Sequence, residues 1–226
     1  MIGWGFRPTA KKAQNYAKKH NLRYIALEDG FLRSIGLGVE GYPPFSLVVD
    51  DMGIYYAAEK PSRLEKLIAD CNLNNEQARQ SHQAMALIRE WQLSKYNHAP
   101  CEPIDTEHKN QIVLVIDQTF GDMAVQYGLA DENSFRQMLQ SALQENPDAE
   151  IWVKTHPDVI AGKKRGYLTD LLDQPRVRII SQDINPPTLL SQVDKVYCVT
   201  SQMGFEALLQ GKEVVTLVCL GLPVGA

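Results

Sequence analysis

Ile112-Val113-Leu114-Val115-Ile116, followed by Asp117-Gln118-Thr119-Phe120-Gly121-Asp122, is the stretch on which the fold turns. Five apolar residues in a row present no polar face, so this strand is predicted to be covered on both sides. Such a strand belongs in a parallel sheet with helices above and below. The chain beyond it repeats the theme. A helix is predicted over 131–145, strands over 150–154, 177–180, 195–199 and 214–216, a short helix around Leu189 and a helix over 202–210. The basic stretch 161–172 also reads as helical, with Lys163-Lys164-Arg165 on a solvated face. Residues 101–226 therefore form a doubly wound, Rossmann-like α/β unit.

Upstream, the polar stretch 95–110, with Pro100 and Pro103, reads as a linker. Before it, Pro8-Thr9 opens a helix over 10–20, and Arg23-Tyr24-Ile25-Ala26-Leu27 is a strand. Residues 31–45, rich in Gly and Pro, are loop. Ser46-Leu47-Val48-Val49 and Ile54-Tyr55-Tyr56 flank Asp50-Asp51-Met52-Gly53, a hairpin signal. A helical region over 61–91 breaks near 72–75. Residues 1–100 read as a smaller, incomplete α/β unit.

Composition narrows the function. The chain has 226 residues, 44% hydrophobic and 22% charged, which suits a globular protein and excludes a disordered one. A net charge of −4 argues against a nucleic-acid binder, which needs a basic stripe. No run of about 18 apolar residues spans a membrane, and Met1 is not followed by an apolar leader. Cys71, Cys101, Cys198 and Cys219 make no CxxC pair, so zinc and redox motifs are missing. Cys198 is expected in the core and the protein in the reducing cytoplasm.

In open parallel sheets, ligands bind beyond the carboxyl ends of strands. Four polar loops occupy such places. Glu28-Asp29-Gly30 with Arg33 offers two carboxylates for proton transfer and orientation, or merely an acidic turn. Asp117 to Asp122 marks a site, or else Asp122 caps a turn. Lys154-Thr155-His156-Pro157 can hold a phosphate through its histidine, or the histidine is structural. Thr200-Ser201-Gln202-Met203-Gly204 joins hydroxyls to a helix start, which is either an anion site or a plain N-cap. Walker A, GxGxxG, HExxH and GxSxG sequences do not occur.

Together, Glu28-Asp29-Gly30-Phe31-Leu32-Arg33-Ser34, Asp117-Gln118-Thr119 with Gly121-Asp122, Lys154-Thr155-His156-Pro157, and Ser201 with Gly204-Phe205-Glu206-Ala207 resemble the capsule polysaccharide β-Kdo transferases of the KpsC type. The likeness runs from Gly3 to about Thr216. It implies a GT-B fold of two Rossmann-like domains and a retaining glycosyltransferase. That enzyme would move β-Kdo from CMP-β-Kdo to a Kdo-bearing lipid in capsule linker synthesis, with no metal and no separate cofactor. By the same resemblance, Asp122 or Asp117 is the nucleophile, and Glu28 or Asp29 is the acid/base. Arg33 would pair with the Kdo carboxylate. His156 and the Thr200-Ser201 region would hold CMP, with Lys154 as a second contact. Gly30, Gln118, Pro157, Gly204 and Glu206 complete the implied substrate site. A peripheral place on the inner membrane face and a capsule assembly or export complex are further implications. The alternatives are a sialyltransferase-like enzyme using another CMP-sugar, or an inactive CMP-binding remnant.

Both ends depart from the family pattern. Residues are expected before Gly3, and Thr216 should lead into Phe-Gly-Leu-Pro followed by two aromatics and Ala-Gly-Trp-Gly. Loss of one nucleotide from codons for that segment yields Leu217 to Ala226 as they stand. The expectation is a truncated module.

Overall fold

The computed structural model describes residues 1–106, 111–156, 159, 162–171 and 173–217. Two sheets organise them. The larger has five parallel strands in the order β6-β5-β4-β7-β8. These are β4 (Ile112–Ile116), β5 (Glu150–Lys154), β6 (Val177–Ile180), β7 (Lys195–Cys198) and β8 (Glu213–Thr216). All five residues of β4 are buried. Ile112, Leu114 and Ile116 join Trp152, Ile180, Leu189 and Leu190 in one core, while Val113 and Val115 join Phe135, Met138, Ile151 and Val153 in another. The alternation of β4 between two cores is the physical meaning of its uninterrupted apolar run.

The connecting helices fit the sequence signals. In α5 (Glu132–Glu145), Phe135, Met138, Leu139 and Ala142 are buried at helical spacing, and Asp131 with Ser134 forms a capping box. Asn185 caps α6 (Pro186–Ser191) and Ser201 caps α7 (Gln202–Leu209). A Cβ at Gly204 would fall 2.5 Å from Cys198 Sγ, so α7 lies on β7 only because residue 204 lacks one.

The smaller sheet has three strands, β1 (Ile2–Trp4), β2 (Ile25–Asp29) and β3 (Leu47–Asp50). β1 is parallel to β2, and β3 is antiparallel to it. Helix α1 (Pro8–Lys19) covers it with Ala10 and Ala17. Its core is Ala26, Ile54, Tyr56 and Ala57, completed by Ala124 and Tyr127 of α4 (Met123–Tyr127) from the other half. The helical region 61–91 divides into α2 (Arg63–Ala69) and α3 (Asn75–Glu90), each opened by a capping box. Among the described residues no helix is long and apolar enough to cross a membrane.

Several expectations are corrected. The hairpin is not formed, because β3 pairs with β2 and residues 54–56 make no strand. The reason is Asp50. Its Oδ1 accepts the amides of Met52 and Gly53, at 2.8 Å each, and its Oδ2 accepts the amide of Arg63 at 2.9 Å. These bonds curl the chain that would otherwise extend. Strand β2 begins and ends two residues later than expected, so Glu28 and Asp29 lie inside it. Within the basic stretch, residues 162–171 form turns and a short 3-10 helix, Thr169–Leu171, instead of an α-helix. Asp117 takes the Tyr167 and Leu168 amides that a helix would have used. The expected linker is pinned over its described part. Tyr96 bridges Ser34, and Ile104 is buried with its amide bonded to Gln192. Residues 218–226, which carry the frame-shift expectation, lie outside the described residues.

Candidate functional site

β4 lies between β5 and β7, and the chain leaves β4 toward β5 and β6 before returning to β7 and β8. The gap beyond the carboxyl ends of β4 and β7 is thus the switch point where open α/β sheets bind ligands. Two of the four polar loops are bonded across it, and the loop after β5 touches the first of them through Thr155, whose Oγ1 donates to Asp117 Oδ2 at 3.4 Å. Gln118 spans the gap. Its Nε2 donates to Thr200 Oγ1 at 3.0 Å and to Asp122 Oδ2 at 3.1 Å, and its Oε1 accepts the Thr200 amide at 3.1 Å. Ser201 Oγ accepts the Met203 amide at 3.3 Å, so the hydroxyl stands at the positive end of α7. His156, exposed, follows the buried Thr155 at the end of β5. Pro157 lies outside the described residues.

The two aspartates of this loop have different surroundings. Asp117 is 8% exposed, and its Oδ1 accepts the amides of Gln118, Tyr167 and Leu168 at 2.9, 3.0 and 3.2 Å. Burial raises its pKa above the ordinary carboxylate value, against the pull of those donors. Its carboxylate is committed to holding the 166–168 turn on the sheet. Asp122 is half-buried and caps α4, with Oδ1 accepting the Ala124 amide at 2.9 Å and Oδ2 accepting from Gln118. Gly121 before it has φ +83°, a left-handed turn that suits glycine. Lys154 is tucked in, its Nζ donating to Thr155 O at 2.9 Å, and burial lowers its pKa while Asp183 opposes the shift.

Across the cleft, Glu28 Oε1 accepts Trp4 Nε1 at 3.0 Å and the Asp29 amide at 3.1 Å. Asp29 turns the other way, as neighbours on a strand do. Its Oδ1 lies 2.7 Å from Arg33 Nε. Gly30 abuts Ser46, whose carbonyl accepts its amide at 3.0 Å, and a Cβ there would collide with that residue. Tyr55 has its pKa pushed well above the ordinary value, by burial first and then by the negative charges of Glu28, Asp29 and Asp122 among others. Tyr56 beside it is pushed up to about 12, by burial first. Sequence reasoning missed Tyr55 because Ile54-Tyr55-Tyr56 reads as a core strand.

Contacts between the halves are specific. Gln202 Nε2 donates to Phe31 O at 2.7 Å, and the Phe31 and Phe205 rings lie 5.0 Å apart. Glu206 is turned toward residues 94 and 95. It is 6% exposed and accepts Ser94 Oγ at 2.8 Å and the Lys95 amide at 3.1 Å. Lys95 O in turn accepts the amides of Arg33 and Ser34. Burial raises the Glu206 pKa against these donors. Gly204 likewise serves packing of α7 on β7. Arg33 is 8% exposed and largely occupied, with Nη1 donating to Ser34 Oγ at 2.8 Å and to Tyr42 O at 3.2 Å.

Fold and cleft together define a GT-B-like α/β protein with its polar loops at strand ends. Residues 1–106 and 100–224 match the capsule polysaccharide biosynthesis protein family, and the chain belongs to it. It is similar to the capsule polysaccharide modification protein LipA of Neisseria meningitidis serogroup A, with 59% identity over 99% of this chain and 32% of that protein. The lipopolysaccharide-processing protein LpsZ of Rhizobium meliloti is 35% identical over 95% of this chain and 49% of its own length. The chain thus spans about a third to about a half of the length of these relatives. Among solved structures, the KpsC β-Kdo 2,4 transferase of Thermosulfurimonas dismutans superposes with a TM-score of 0.86 and 49% identity, over 95% of this chain and 67% of the other. The β-Kdo 2,7 transferase of the same organism gives 0.66 and 29%, over 95% and 63%.

Proposed function

We propose that this chain carries the cleft of a retaining glycosyltransferase that moves β-Kdo from CMP-β-Kdo to a Kdo-bearing lipid acceptor in capsule synthesis. The observation that carries the reading is the Gln118 bridge at the switch point, whose Nε2 holds Asp122 Oδ2 at 3.1 Å and Thr200 Oγ1 at 3.0 Å. Similarity to two Kdo transferases supports the sugar.

Asp122 is assigned as nucleophile, because Asp117 is spent on backbone amides while Asp122 stays half-exposed. Its carboxylate attacks the anomeric carbon, the bond to the phosphate oxygen breaks, and CMP leaves with the electron pair. His156, Ser201 and the first amides of α7 receive the phosphate. Glu28 then takes the proton of the acceptor hydroxyl as that oxygen displaces Asp122, and two inversions give retention. Glu28 is preferred to Asp29 because the Asp29 carboxylate is already paired with Arg33, Oδ1 lying 2.7 Å from Nε. The donor is itself the activated sugar, so no separate cofactor enters. The work would take place on the inner face of the cytoplasmic membrane, beside the capsule assembly and export machinery.

The test is CMP release and product formation by the purified chain with CMP-β-Kdo and a Kdo-lipid acceptor. Asp122→Asn is expected to abolish transfer, and Glu28→Gln to let a Kdo ester build up on the Asp122 peptide, seen by mass spectrometry. Full transfer by Asp122→Asn refutes the nucleophile. CMP binding without turnover leaves a binding remnant, and faster turnover of a CMP-sialic acid points to the other CMP-sugar class.

A further inference from the structure

A cavity of about 300 Å³ opens on the small sheet, walled by Trp4, Arg7, Asp29, Arg33, Gly38 and Tyr96. That is the lower end of the ~300–1,000 Å³ typical of small-molecule sites. Its wall carries two guanidinium groups against one carboxylate. Arg33 cannot turn outward, because its Nη1 is bonded to Ser34 and Tyr42 and Gly38 packs against its Nη2. Its Nε and Asp29 Oδ1 are both buried and close in distance, yet neither has an aligned hydrogen-bond partner. Arg7 is different. It is exposed, and among the described residues no side chain or carbonyl engages its guanidinium. It is also the N-cap of α1, a helix with no side-chain cap and no acidic residue in its first turn, so the positive helix end goes unopposed there. Trp4 and Tyr96 add aromatic surface, the usual wall for the C–H faces of a sugar.

We infer that this cavity is a subsite for the carboxylate end of an acidic sugar, with Arg7 as its anchor. The inference rests on the transferase reading for its place on the acceptor side of the cleft. A planar guanidinium with unused donors suits a carboxylate bidentately. The sugar's carboxylate brings the net charge of the pocket toward zero and can accept from the buried Arg33 Nε, while a sugar hydroxyl can donate to Asp29 Oδ1. The role that the family resemblance gave to Arg33 thereby passes to Arg7.

The experiment is calorimetric titration of the intact chain with free Kdo, with Kdo methyl ester and with inorganic phosphate, beside a CMP titration. Arg7→Ala and Arg7→Gln are expected to weaken Kdo binding at least tenfold and to leave CMP affinity and the melting temperature unchanged. The ester is expected to bind wild type at least tenfold more weakly than the acid, and to bind both variants no worse than wild type. Equal Kdo affinity in wild type and variants overturns the subsite. So does an ester that binds like the acid, or phosphate that displaces Kdo at equal concentration. Kdo binding that needs Arg7 in a chain that ignores CMP keeps the subsite and removes the transferase reading. CMP binding without any Kdo binding by wild type does the reverse.

Discussion

In the five-stranded sheet, Val113, Leu114, Val115, Trp152 and Val196 are all fully buried. Among the apolar residues of the three-stranded sheet only Ala26 is, while Ile2, Leu47 and Val49 remain exposed. The first is held by apolar packing on both faces. The second leans on polar ties such as Asp50 to its turn, Trp4 to Glu28, and Asp29 to Arg33. Packing of the first kind unfolds as a unit, whereas a small core tied by exchangeable bonds opens locally. A rigid five-stranded half facing a looser three-stranded half follows from this difference. The two halves are joined through Glu206, Gln202 and Tyr127, so movement of one is felt at the other.

The largest expected effect is in the big sheet. Trp152→Ala should cost about 3–5 kcal/mol by the cavity it leaves, read as a shift in urea midpoint. Ile54→Ala, in the small core, should speed amide exchange in β2 and β3 while β4 amides keep wild-type protection. Equal acceleration in β4 would erase the contrast between the sheets.

Next in size is the tie between halves. Glu206→Ala should cost about 1–3 kcal/mol, since the Ser94 hydroxyl and Lys95 amide are left without their acceptor. Glu206→Gln keeps an oxygen for both and stays neutral. The native pKa of Glu206 is raised, so the native state holds a proton that the unfolded chain has released. Its contribution is full below the unfolded value and declines as pH rises through the native one. Glu206→Gln should therefore gain stability relative to wild type as pH rises through that window. Parallel stability curves for the two proteins would show that the buried charge is not disfavoured.

The smallest effect belongs to the surface. Arg23 is largely exposed and pairs with Asp51 at 2.6 Å, where Arg63 also binds. Arg23→Ala should barely move the melting temperature, and what remains should fade in high salt. A large, salt-resistant loss would mean that polar ties carry more of the small sheet than packing does.

Local pattern was enough for the central strand. Five apolar residues ending at Asp117 can only be covered on both faces, and the polar loops that follow β4, β5 and β7 can only emerge at one end of a parallel sheet. Those facts depend on periods of two and 3.6 residues, which are written in neighbours along the chain. Asp50 defeated the hairpin reading because a carboxylate that collects three amides outweighs the strand preference of Ile54-Tyr55-Tyr56. The commitment of Asp117 to the Tyr167 and Leu168 amides and the turning of Glu206 toward Ser94 were not legible. Each depends on a partner brought from elsewhere in the chain, 112 residues away for Glu206 and Ser94. A side chain's chemistry is set by which donors and charges surround it, and folding alone brings such distant groups within hydrogen-bond range.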